Sequence, residues 1–318
     1  MGEPDPSPEE PMSAQRLRGV IAAAATPLKP DWSIDLAKLT AHCRWLLDHG
    51  CDGINLLGTT GEATSFSRDQ RLAVMRAVAE AGLPLARFMV GTGAAALEDA
   101  VALTRAAVEL GFAGALLLPP FYYKGIDPAG LTDYVAAVIE RAGAARLKLY
   151  LYNFPQNSGV PYPLEVVQAL KQRYPAVLVG LKDSSGDMAY AAAMAKEVPD
   201  FDVFPSAEGG LKQAKELGFA GCISATANVT APIVAEGWRG LGTPAGAKAI
   251  EEASAVRAAL CLYPVIACTK WALADLTGDA NWSRLSPPLS AIDAGQQAKV
   301  KAALAATRYG EVRALVAA

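Results

Sequence analysis

From Gly19 onward the chain alternates short, almost wholly apolar runs with longer amphipathic stretches, and few architectures accept that pattern. Eight such runs lie near residues 19–25, 53–57, 88–93, 114–119, 148–153, 177–182, 202–206 and 221–225. Their polarity does not alternate, as expected of parallel strands covered on both faces. Between them apolar residues recur at helical spacing. Leu36, Leu39, Cys43, Leu46 and Leu47 share one face of a helix ending at Gly50, and residues 96–110, 128–141, 163–173 and 209–217 repeat the pattern. Eight strand–helix units predict an α/β fold, a (β/α)8 TIM barrel over residues 18–236. Beyond Asn228 the periodicity is helical throughout, over 245–262, 264–276 and 293–306, so a C-terminal helical lobe is expected over 237–318. The competing arrangement is an open, doubly wound sheet, because periodicity alone does not show whether a sheet closes. Residues 1–17, with their acids and prolines, read as a disordered tail.

Composition narrows the function. A chain that is 52% hydrophobic and only 19% charged has ample material for a large interior. Lys and Arg number 29 against 32 Asp and Glu, with no long basic run, which argues against nucleic acid or an anionic membrane as partner and for a small molecule. Five cysteines without a CxxC point to neither a disulfide framework nor a zinc site and fit a reducing cytoplasm. No apolar run approaches the ~20 residues of a membrane span.

In such a barrel, reacting groups sit where strands end and loops begin. Four ends stand out: Gly58-Thr59-Thr60-Gly61-Glu62, Pro120-Phe121-Tyr122-Tyr123, Tyr152-Asn153-Phe154-Pro155 and Gly180-Leu181-Lys182-Asp183. Lys182 closes an apolar run, so its stem lies in the barrel mouth, where desolvation favours the neutral amine that attacks a carbonyl to form a Schiff base. A lysine that snorkels to solvent or pairs with Asp183 is the alternative, although strand alternation sends those two side chains to opposite sides. Tyr152 lies 30 residues earlier, one strand–helix–strand step, which places a phenol at the same mouth for general acid–base work or as a rim aromatic. The GTTGE turn offers backbone N–H groups and two hydroxyls to a carboxylate or phosphate at the expected start of the next helix. Glu62 is read as a cap of that helix. His42 and His49, the only histidines, read as helix-surface residues.

Together, G-T-T-G-E, Y-N-x-P and G-x-K-D in this order at strand ends resemble the dihydrodipicolinate synthase / N-acetylneuraminate lyase family of pyruvate-dependent class I aldolases. The resemblance runs from about Gly19 to Asn228 and on through the helical lobe. It implies that Lys182 forms the pyruvate imine, that Tyr152 shuttles protons, and that Thr59 and Thr60 hold the pyruvate carboxylate. Tyr122 matches the tyrosine that reaches a neighbouring subunit's site and completes a relay through Thr60 to Tyr152. Phe121-Tyr122-Tyr123 carries one aromatic more than the usual pair, so Tyr123 is the alternative. Ile223 matches a residue lining the pyruvate pocket. A homotetramer built as a dimer of dimers is implied, with no metal or organic cofactor.

Departures from the pattern concern the second substrate. Synthases of the family follow Y-N-x-P with Ser-Arg-Thr, whose arginine grips the carboxylate of aspartate semialdehyde; here the stretch is Gln156-Asn157-Ser158. An uncharged Asn157 supplies no bidentate clamp, which removes on the order of 1.5–3 kcal/mol of binding unless an arginine from elsewhere substitutes. Ser184 and Glu208 fall where sugar-acid lyases of the family contact hydroxyls, or else shape a turn and cap a helix. The expected activity is cleavage of a 2-keto-3-deoxy sugar acid, or a related 2-oxo acid, to pyruvate and an aldehyde. Synthesis of 4-hydroxy-tetrahydrodipicolinate from pyruvate and aspartate semialdehyde stands second, and a barrel that binds an oxo acid without turnover third.

Overall fold

In the computed structural model, which describes residues 16–317, the apolar runs form one parallel sheet. The strands are β1 (Gly19–Ala23), β2 (Gly53–Leu56), β3 (Phe88–Gly91), β4 (Gly114–Leu117), β5 (Leu149–Asn153), β6 (Leu178–Asp183), β7 (Asp202–Pro205) and β8 (Gly221–Ser224). Neighbours pair in chain order from β1 to β7, and β8 returns to pair with β1. The Ala220 N–H donates to the Val203 carbonyl of β7 at 3.0 Å, which brings the ends together into a nearly closed (β/α)8 barrel. An open, doubly wound sheet is thereby excluded.

Helices α1 (Leu36–Asp48), α2 (Arg68–Glu80), α3 (Leu97–Leu110), α4 (Pro128–Ala142), α5 (Pro155–Ser158), α6 (Leu164–Arg173), α7 (Met188–Glu197), α8 (Ala214–Leu217) and α9 (Ala227–Arg239) accompany the strands. Four more follow: α10 (Pro244–Leu260), α11 (Val265–Thr277), α12 (Ala294–Leu304) and α13 (Tyr309–Ala317). Local chemistry sets several of the starts. Ser67 and Gln70 form a capping box at α2, while Asp127 accepts from the Gly130 N–H ahead of Pro128 at α4. The position expected to divide barrel from lobe, between 236 and 237, falls inside α9. No single helix among the described residues is long and apolar enough to cross a membrane.

Alternation along the strands sorts two cores. Outward residues such as Leu149, Leu151 and Leu181 pack against the helices; inward residues, among them Ile21, Met89, Leu116, Tyr150, Tyr152, Phe204 and Ile223, fill the barrel. Tyr150 sets a demand on its neighbour strand. A side chain at Gly180 would place its Cβ 2.7 Å from the Tyr150 ring and 2.3 Å from the Asp202 carbonyl, so glycine is required three residues before Asp183.

Several expectations are corrected. Residues 1–15 of the expected tail lie outside the described residues, but Arg16 and Leu17 are packed: Arg16 pairs with Asp200 and Asp202, and Leu17 is buried in the barrel. The helix expected over 209–217 is a 3-10 segment, Glu208–Gln213, followed by one turn of α8, because Gly209 and Gly210 weaken an α-helix there. Helix α13 was not anticipated.

Candidate active site

The register of β5 on β6 sets Tyr152 directly opposite Lys182. Both side chains point inward, and Lys182 Nζ lies 4.4 Å from the centroid of the Tyr152 ring. Lys182 is 3% exposed and has no ion-pair or hydrogen-bond partner among the described residues. Asp183 does not serve it. That carboxylate faces the other side of β6, where it accepts from Asn153 Nδ2 at 2.7 Å and Ser185 Oγ at 2.8 Å. Burial holds the Asp183 carboxyl above the usual carboxylate range despite those bonds. Asn153 Oδ1 in turn accepts from the Tyr162 N–H, so the Asn of Y-N-x-P and the Asp of G-x-K-D tie the two strand ends together.

Thr59 Oγ1 and Tyr152 Oη are hydrogen-bonded at 3.1 Å. The hydroxyl beside the phenol therefore belongs to Thr59 and not, as expected, to Thr60. Adjacent side chains in a tight turn diverge; Thr60 is buried and faces the cavity described below. The turn's conformation is unusual, since Leu57 and Glu62 at its ends are both left-handed, with φ of 52° and 56°. Each costs about 1–2 kcal/mol, so something must hold the turn closed. Glu62 provides it: Oε1 pairs with Lys270 Nζ at 2.5 Å and Oε2 accepts the Ser286 N–H at 2.7 Å, with both charged groups fully buried. Glu62 is thus no helix cap. A 3-10 turn, Ala63–Ser65, follows it and α2 starts only at Arg68.

Two cavities, of about 360 and 490 Å³, share walls formed by Thr59, Tyr152, Phe154 and Asn157. The larger is also lined by Thr60, Ser184, Ser206 and Arg257, and it is roofed by residues 264–267 and 285–290 of the C-terminal segment. Asn157 and Ser184 thus both line the larger cavity. Ile223 is buried inside the barrel in the same apolar cluster as Tyr152. Glu208 does not line either cavity: fully buried, it accepts from Thr226 Oγ1 at 2.6 Å and Thr230 Oγ1 at 3.0 Å, and it heads a 3-10 segment without capping it. Tyr122 and Tyr123 are 74% and 72% exposed, edge to face with each other, and neither reaches Tyr152 within this chain.

His42 is not a surface residue. It is buried, with Nε2 2.8 Å from Asn228 Oδ1, an atom that already accepts the Ala25 N–H, so Nε2 is the donor. Burial pulls its pKa down to about 4. Sequence reasoning also missed Arg257, Lys270 and Arg71. Arg71 is buried against the smaller cavity and donates to the Gly91 and Gly93 carbonyls. All three sit inside helices, and the carbonyls or acids that receive them lie 20 to 244 positions away in sequence.

The profile of the dihydrodipicolinate synthetase family matches residues 16–307. The chain belongs to this family. Its members are pyruvate-dependent class I lyases, and the chain is an enzyme of that type. An uncharacterized DapA-like lyase of Chloroflexus aurantiacus is 35% identical over 209 residues, 65% of this chain and 69% of that protein. The 4-hydroxy-tetrahydrodipicolinate synthase of Rhizobium meliloti is 30% identical over 296 residues, 91% of this chain and 97% of that protein. Among solved structures, dihydrodipicolinate synthase from Agrobacterium tumefaciens superposes with a TM-score of 0.84 at 30% identity, covering 91% of this chain and 99% of that one. The family's barrel and its additional C-terminal helices are both present here.

Proposed function

We propose that Lys182 is the amine that condenses with pyruvate and that the physiological reaction cleaves a 2-keto-3-deoxy sugar acid, or a related 2-oxo acid, to pyruvate and an aldehyde. The observation that carries the reading is a buried lysine, without an ion-pair or hydrogen-bond partner among the described residues, against the face of a tyrosine that is itself hydrogen-bonded to a threonine. Neutral Nζ adds to the C2 carbonyl of the substrate, and the carbonyl oxygen takes a proton as the carbinolamine forms. Loss of that oxygen as water leaves a cationic imine. In the cleavage direction the C3–C4 bond breaks, its electrons flow into the imine as an enamine, and the C4 hydroxyl gives up its proton as the aldehyde departs. Tyr152, backed by Thr59, is positioned to give and take these protons. Protonation of the enamine at C3 and hydrolysis then release pyruvate and restore Lys182. Holding the reacting groups together makes each step intramolecular.

Thr60 and the turn's N–H groups supply the pyruvate carboxylate with donors, and Ile223 lies in the apolar layer of the barrel with Tyr152. The exposed Tyr122–Tyr123 pair supports a homotetramer, a dimer of dimers in which that loop is covered by another subunit; four buried cysteines fit a reducing, cytoplasmic setting. The names of the Rhizobium and Agrobacterium relatives favour a second reading, condensation of pyruvate with aspartate semialdehyde. Asn157 in place of the family's arginine weighs against it. Coupled release of pyruvate from a panel of keto-deoxy sugar acids, run beside condensation with aspartate semialdehyde, separates the two. Cleavage of at least one sugar acid with kcat/KM well above that for the semialdehyde is expected; the reverse order would overturn the substrate assignment.

A further inference from the structure

The larger cavity begins at Thr59, Thr60 and Tyr152, beside the imine position, and extends past Asn157, Ser184 and Ser206 to the C-terminal helices. Arg257, in the last turn of α10, is the only charged residue lining it among those described. This guanidinium is held by one nitrogen. Nη1 donates to Thr226 Oγ1 at 3.1 Å, to Ser224 Oγ at 3.3 Å and to Glu208 Oε2 at 3.4 Å. Nε and Nη2 have no partner among the described residues, and the side chain is 23% exposed. The free edge is therefore the Nε/Nη2 pair, two parallel N–H donors at the spacing of a carboxylate's oxygens.

The anchor is built to fix that edge. Glu208 is fully buried, with Oε1 already occupied by Thr226 and Thr230, and it meets Arg257 through one long contact instead of a fork. It offsets part of the charge and holds the head group in place, and it leaves the paired donors unused. Asn157 supplies no charge at the place where synthases carry their clamp, so within this cavity a second anion has one cation to meet.

We propose that Arg257 recognises a carboxylate at the end of the substrate distal to the imine carbon, so that the preferred substrates are dicarboxylic 2-oxo acids, such as keto-deoxy aldaric acids, in place of acids ending in a hydroxymethyl group. This rests on Lys182 forming the imine. Arg257 is a specificity-determining residue, Glu208 a positioning residue that acts through it, and the polar groups of Asn157, Ser184 and Ser206 serve the hydroxyls between the two ends.

The test compares two probes that differ only at the far end, 2-keto-3-deoxyglucarate and 2-keto-3-deoxygluconate. Each is a 2-oxo acid, so each is captured on Lys182 by borohydride whether or not it is subsequently cleaved. The half-saturating concentration for adduct formation is read by mass on the intact protein, and each value is divided by that for pyruvate on the same variant. On the wild type the aldarate should saturate at a concentration at least about 10-fold lower than the gluconate. In Arg257→Gln the gap should close to within about threefold, through the aldarate value alone. Because that change leaves Glu208 without its cation, the double variant Arg257→Gln with Glu208→Gln removes both charges and should show the same collapse. No gap in the wild type, or a gap that persists in the double variant, overturns the proposal while leaving the imine chemistry standing. Absence of any adduct with pyruvate overturns the imine reading and this inference with it.

Discussion

Lys182 and Lys270, two of the three lysines buried among the described residues, lie in opposite surroundings. Lys270 on α11 is wrapped in acceptors, with Glu62 at 2.5 Å and the Thr26 carbonyl at 2.8 Å. Lys182, on β6, lies against the Tyr152 ring and has no ion-pair partner among the described residues. Burial pushes the Lys270 ammonium below its usual value while Glu62 pulls it back, the behaviour of a charge that stays paired. Burial alone does not distinguish a structural lysine from a reactive one; the partner does. The two are also linked, since Lys270 grips the turn that carries Thr59, and Thr59 holds the hydroxyl of Tyr152 beside Lys182.

The comparison breaks most visibly at the structural lysine. Removing one member of a buried pair leaves the other charged and unpartnered, so Lys270→Ala should lower unfolding free energy by about 3–5 kcal/mol in urea titrations. Combining Lys270→Met with Glu62→Gln should recover most of that loss. A single variant as stable as the wild type would mean that the pair does not hold the turn.

A third buried base sharpens the lesson, because the partner of His42 is the neutral Asn228. Its pKa of about 4 lies below the usual 6.5, so between those values the unfolded chain binds a proton that the folded one does not. The stability held by neutral His42 is complete above pH 6.5 and is lost as pH falls toward 4, about 3 kcal/mol in all. His42→Gln should flatten the stability curve over that window relative to wild type; parallel curves would reject the assignment.

Effects on the neighbours of Lys182, the proposed imine-forming lysine, are graded. Tyr152→Phe should still form imine with pyruvate but turn over ~10²-fold more slowly, since proton transfer and not the amine has been lost. Thr59→Val should cost about 10-fold in kcat, Thr60→Val should act chiefly through KM, and the reverse split would restore Thr60 to the relay.

The barrel was legible because strands covered on both faces are written as continuous apolar runs, and Lys182 and Tyr152 because each ends one of them. What stayed illegible depended on contacts made far along the chain. Whether Thr59 or Thr60 meets the phenol follows from a turn with left-handed residues at 57 and 62, held by contacts from Lys270, Ser286 and Thr26 that lie far along the chain. His42 reads as a surface residue until Asn228, 186 positions later, covers it. Glu208 reads as a hydroxyl contact or a helix cap and Glu62 as a cap until folding sets Arg257 against the one and Lys270 against the other, 49 and 208 positions along the chain.

The most direct test sets the two lysines against each other in one tube. Wild-type protein is reduced with borohydride in the presence of pyruvate, digested and mapped by mass. A pyruvate adduct on the peptide carrying Lys182, none on that carrying Lys270, and no adduct in Lys182→Ala is the predicted result. Modification of Lys270, or an adduct that survives in Lys182→Ala, would contradict the account.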